Sequence, residues 1–157
     1  MQTFLPSGNA VFAAQALDNK RLNKQILEGY QILNVLAGNS MGWRNHPAVL
    51  MWAGHEGALL EYVRDMITEA KHRGIKTENN EANINRIALK SWNTNKPEWM
   101  RDKQKLGRVV ATHRANLYRK DPIYYAEYAS NVNNELNKPC CDGCLYFWPT
   151  HPLKKVK

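Results

Sequence analysis

The sequence has no run of about 18 apolar residues, which excludes a helical membrane span. Its opening, Met1-Gln2-Thr3-Phe4-Leu5-Pro6, has neither the basic stretch nor the apolar core of a secretory signal, so a cytoplasmic protein is expected. Cysteine is scarce: there are three, Cys140, Cys141 and Cys144, and an odd number in one cluster does not resemble a disulfide framework. Internal repeats and low-complexity linkers are missing. No stretch alternates apolar and polar residues with period two, so strands are not expected and the fold class is all-α. Acidic residues are in short supply, 14 against 22 basic ones, giving a net charge of +8. That excess favours a polyanionic partner held by phosphate contacts and counterion release, although a basic, merely solvated surface would look the same.

What is present suits a compact helical globule. The 157 residues, 43% of them apolar, fit one domain over 1–157 with a single hydrophobic core. A long helix is predicted from about Val11 to Ala37, because Leu22, Ile26, Tyr30 and Leu33 recur at helical spacing and Gly38-Asn39-Ser40 ends the run. Lys20, Lys24, Glu28 and Gln31 fall on another face of it. Pro47 is suited to open a second helix, reaching roughly Arg73, with Val49, Trp52, Glu56, Leu59, Val63 and Met66 along one side. Glu56 is the polar residue in that stripe and is expected at its edge. Gly74 stands where a helix-terminating glycine belongs. Residues 75–101 read as short helices and loops. A further helix fits Asp102 to Lys120, then one or two turns over Ile123 to Tyr128. The tail, 131–157, is expected to be irregular and packed on the rest.

Four groups of residues could carry chemistry. Glu28 sits with Lys24 one turn before it and Arg21 two turns before it; a carboxylate among cations stays ionised and can stabilise a positive charge or carry a proton. An ordinary surface ion pair would have the same spacing. The segment from Thr112 to Pro122 contains His113, Arg114, Asn116, Arg119 and Lys120, with Tyr124, Tyr125 and Tyr128 following. Such a mixture can grip phosphates and stack on bases, or can be an amphipathic helix with a solvated basic face and core tyrosines. Arg44 and His46, before a helix start, could meet an anion, or His46 could simply cap that helix. Cys140, Cys141, Cys144 and His151 could hold zinc, or could be free thiols.

Taken in order, these segments resemble the pyrimidine dimer DNA glycosylase (endonuclease V) family, in its short bacterial and phage branch. The likeness is carried by Met1, Phe4 and Pro6; by Leu17, Asp18, Lys20, Arg21, Leu22, Lys24 and Gln25, then Glu28; by Gly42-Trp43-Arg44-Asn45-His46-Pro47; by His113-Arg114 through Tyr124-Tyr125; and by Tyr146-Phe147-Trp148-Pro149. The resemblance implies a compact helical domain and a metal-independent glycosylase with abasic-site lyase activity on duplex DNA. No cofactor is implied. It also implies a nucleoid or phage-infected host cytoplasm as location, and a monomer is the expected state. In the family an N-terminal α-amine attacks the sugar C1′ and expels the base, leaving a Schiff base whose β-elimination breaks the strand. An α-amine suits this, since its pKa near 8 leaves a neutral fraction at neutral pH. Glu28 falls on the family's catalytic glutamate. Because Gln2 is too bulky for ready removal of the initiator, Met1 would supply the amine. Gln2 and Leu27 replace arginines of the family pattern, which shifts phosphate contact to Arg21, Lys24, Arg44, His46, His113, Arg114, Asn116, Arg119 and Lys120. A glycosylase for a different modified base, or a non-catalytic DNA-binding module, would share these features.

Overall fold

The computed structural model describes residues 1–140 and 144–150. Among them all regular structure is helical and there is no strand, in agreement with the all-α expectation. The elements are α1 (Ala10–Ala16), α2 (Asn19–Leu36), α3 (Pro47–Leu50), α4 (Glu56–His72), α5 (Glu78–Asn85), α6 (Glu98–Arg101), α7 (Lys103–Lys120) and a closing 3-10 helix, Ala126–Asn133.

The single helix expected over 11–37 is two. The chain bends at Leu17 and Asp18, both in extended conformation. Partners far along the chain take up the backbone groups that a continuous helix would use. Arg73 donates to the carbonyls of Leu17 (2.7 Å), Ala14 (3.1 Å) and Gln15 (3.0 Å). The Asp18 amide donates to the Tyr125 hydroxyl at 2.9 Å, and that hydroxyl donates in turn to the Asp18 carboxylate. Asn9 caps α1 by accepting from the amides of Val11 and Phe12.

The expected helix from Pro47 to Arg73 is also divided, into α3 and α4. Residues 92–93 cross its middle so closely that a Cβ on Gly57 would lie 2.6 Å from the Trp92 carbonyl oxygen. The Ala58 amide, freed at the start of α4, donates to the Asn93 carbonyl (3.1 Å). Glu56 is buried at this junction rather than at the edge of a stripe, and one of its oxygens accepts from the Gly54 amide at 3.3 Å. The chain leaves α4 through Gly74 at φ +77°, as expected. The helix expected at Asp102 forms, with the Asp102 carboxylate capping the amides of Gln104 and Lys105. The turns expected over Ile123 to Tyr128 form as well: the Tyr125 amide donates to the Asp121 carbonyl (3.0 Å), and the 3-10 helix follows from Ala126.

The core lies between α2 and α4. Leu22, Ile26 and Leu33 face inward as predicted, joined by Gln25, Gly29 and Ile32, while Tyr30 is only half-buried. Trp52 and Trp99 meet edge to face at 5.4 Å in the same core. On the far side, α7 packs on the 3-10 helix, with Tyr125 and Tyr128 stacked 5.9 Å apart.

Candidate active site

Residues 2–6 are buried yet belong to no helix or strand, so side chains must satisfy their backbone groups. The Gln25 carboxamide, on α2, donates to the Gln2 carbonyl (2.7 Å) and accepts from the Phe4 amide (3.0 Å). Tyr62, on α4, donates its hydroxyl to the Phe4 carbonyl (2.7 Å). The Leu5 amide donates to His113 Nδ1 (2.8 Å), and Arg114 Nε donates to the Pro6 carbonyl (2.6 Å), both from α7. The Trp52 indole N–H donates to Thr3 Oγ1 at 3.0 Å. Three helices and the turn after α3 thus hold residues 2–6 in register.

This anchoring leaves Met1 half-buried at a cavity of about 360 Å³, lined also by Gln31, Asn34, Val35, Ser40 and Trp43. The His46 imidazole is held below its ordinary pKa, first by burial and then by the positive N-terminal amine. Glu28 lies one turn beyond Gln25 on α2. Its side chain is 12% exposed, Oε1 stands 3.9 Å from Lys24 Nζ, and Oε2 is buried without a hydrogen-bond partner. An unpaired buried carboxylate oxygen is costly; Glu56 Oε2, at the start of α4, is another, so what distinguishes Glu28 is its place on the helix that clamps the N-terminal segment through Gln25. Among the described residues no ion pair within 4.0 Å joins Glu28 to the Met1 amine. The Glu28 charge reaches the hydroxyls bracketing the N-terminal segment. Burial raises Tyr62 well above its ordinary value, and Glu28 adds to it. Burial also raises Tyr146; the Gln2 side chain counters that, Glu28 reinforces it, and Arg21 and Arg119 oppose it.

A model of the family described as pyrimidine dimer DNA glycosylase matches residues 1–83. The chain belongs to this family. No curated protein and no solved structure matches it. The matched segment carries Met1, Gln25, Glu28 and the Trp43–His46 loop of the glycosylase fold, while α7 lies beyond it.

The nine residues expected to meet DNA are not equivalent in this glycosylase. Arg21 is half-buried and pairs with Asp18 at 3.2 Å; Lys24 is exposed beside Glu28. Arg44, Arg119 and Lys120 are exposed, and Arg119 also donates to the Asn116 side chain at 3.2 Å. His46 caps α3 by accepting from the Ala48 amide (3.1 Å), and its ring meets Trp43 and Trp148 edge to face. The expectation for His113 is corrected: it is fully buried, touches Phe4 and Tyr146 edge to face, and burial pushes its pKa down to about 3. Asn116 is likewise buried, donating to the carbonyls of Thr112 and Leu145 (both 2.8 Å). Arg114 holds Pro6 and lies 5.2 Å over the Tyr128 ring. His113 and Asn116 are thus packed inside, supporting the N-terminal segment and the tail, while Arg114 is half-buried.

Gln25, Trp52 and Tyr62 were not among the expected site residues. Gln25 carried a legible signal, a polar side chain between Leu22 and Ile26 on the apolar face; the two aromatics read as ordinary core. At Cys144 the cysteine cluster fits neither of the two readings offered for it, zinc ligand or free thiol. Cys144 is disulfide-bonded, so its sulfur is no thiolate ligand. Cys140 is a half-buried free thiol, and Cys141 and His151 lie outside the described residues.

Proposed function

We propose that the chain breaks the bond between a damaged pyrimidine, in a dimer or singly modified, and its sugar in duplex DNA and then breaks the strand, with the Met1 α-amine as nucleophile. The observation that carries this reading is the unpartnered, buried Glu28 oxygen on the helix that also clamps the N-terminus through Gln25. The amine nitrogen bonds to C1′ as the bond between C1′ and the base breaks. The base keeps that electron pair and takes up a proton, departing if it is singly modified and staying bonded to its neighbour if it is part of a dimer, and the new ammonium loses a proton. Ring opening then breaks C1′–O4′, protonates O4′ and leaves an iminium. Loss of a C2′ proton expels the 3′ phosphate.

Glu28 stabilises the cationic sugar and carries protons between amine, base and O4′. Arg21, Lys24, Arg44, Arg119 and Lys120 are the cations available to grip phosphates. The catalytic unit extends past residue 83, because His113 and Arg114 hold residues 5 and 6; this favours one domain over 1–157.

Borohydride reduction during turnover tests the mechanism. A covalent protein–DNA adduct forms on dimer-bearing duplex and is lost when the N-terminal amine is acetylated. Glu28→Gln lowers turnover by two orders of magnitude or more while duplex binding persists. A wild-type protein that binds but yields no adduct and no strand break would instead be a DNA-binding module.

A further inference from the structure

We infer that the groove along α7 between Lys103 and Arg114 docks a short segment of a partner protein, acidic at its ends and apolar between them. The groove, about 380 Å³, is walled by α7, the turn at Gly8 and the chain around Asn131 to Leu136. Its floor is apolar, made by Leu106, Val110, Ala111 and the exposed Leu136. The two charged side chains that line it are both cations, Lys103 towards one end and Arg114 towards the other. Eleven residues of α7 separate them, roughly 16 Å along the axis.

Gly107, in the same wall, sets this groove apart from a chance gap. A glycine inside a helix is destabilising relative to alanine. Its backbone here is helical and not left-handed, and a Cβ would meet nothing within 4 Å. Neither conformation nor packing therefore calls for glycine; what the missing side chain does is keep the groove open. The occupant follows from the walls. Arg114 Nε donates to Pro6, but among the described residues its terminal nitrogens have no hydrogen-bond partner, and Lys103 has no ion pair. Two unpaired cations suit two carboxylates. An extended chain advances about 3.3 Å per residue, so acidic residues about five apart reach both ends. Apolar side chains between them leave water on the Leu106 and Val110 floor. A phosphodiester backbone would meet the cations but has no aliphatic side chains to bury there, so a peptide fits the groove better than DNA.

The test follows the backbone amides of the full chain by two-dimensional NMR. The probe is a synthetic acetylated hexapeptide with an aspartate at each end and valine, leucine, phenylalanine and leucine between. Shifts are expected at Gly8, Gly107 and Leu136, and the same peptide ending in lysines should bind about tenfold more weakly or less. Gly107→Leu should keep or raise the melting temperature and lose the peptide, because its side chain fills the groove. Lys103→Glu, at an exposed site, should weaken the acidic peptide by about tenfold. No shift at these amides, equal affinity for the two peptides, or undiminished binding by both variants overturns the proposal. So does a short duplex that shifts the same amides while the acidic peptide leaves them unmoved, which would make the groove a DNA contact.

Discussion

Acidification should loosen the N-terminal anchor through His113. Its Nδ1 accepts from the Leu5 amide, so a proton there would both break that bond and place a charge in the core. Buried, the imidazole titrates at about 3 against 6.5 in the unfolded chain. A base held neutral by the fold contributes stability that is intact above the unfolded pKa and is lost as pH falls toward the folded one. The loss relative to pH 7.5 works out at about 2 kcal/mol by pH 5 and about 3 kcal/mol by pH 4. His113→Asn isolates this contribution, since its amide oxygen can still accept from Leu5 but does not titrate. Urea denaturation of both proteins at pH 7.5, 6 and 5 is the assay. The wild type should lose about 2 kcal/mol more than the variant between pH 7.5 and 5. Parallel losses, within about 0.5 kcal/mol, would refute the assignment of His113 as a buried neutral acceptor.

Gln25→Leu strands the Gln2 carbonyl and the Phe4 amide, so stability measured by urea should drop by about 2–5 kcal/mol. Adduct formation should fall further than duplex binding does, because the amine loses its position while the exposed cations remain. Gly29→Ala places a Cβ 2.4 Å from Val63 Cγ2, where α2 meets α4 next to Glu28. A loss of about 1–3 kcal/mol is expected, recovered at least in part by adding Val63→Ala in a double-mutant cycle. Raising salt from 50 to 200 mM should weaken duplex binding by at least tenfold if several of the exposed cations neutralise phosphates, and a flat response would contradict that.

The helical class, the apolar face of α2, the capped start of α7 and the exit of α4 at Gly74 follow from local pattern, because spacing, caps and glycine conformation act over a few residues. The breaks inside the two predicted long helices do not. They depend on Arg73, Tyr125 and Asn93, whose partners lie 35 to 107 residues away in sequence, and local periodicity carries no record of such bonds. Among the candidate site residues, Met1 and Glu28 were named from the order of matching segments. Only the tertiary structure set an unpaired Glu28 oxygen on the helix that holds the N-terminus. The same folding turned His113 and Asn116 inward and tied the half-buried Arg114 to Pro6. On paper each is a polar residue in a basic stretch; in the fold each is a partner that residues 5, 6 and 145 require, because a backbone buried without a sheet has to find its hydrogen bonds in side chains.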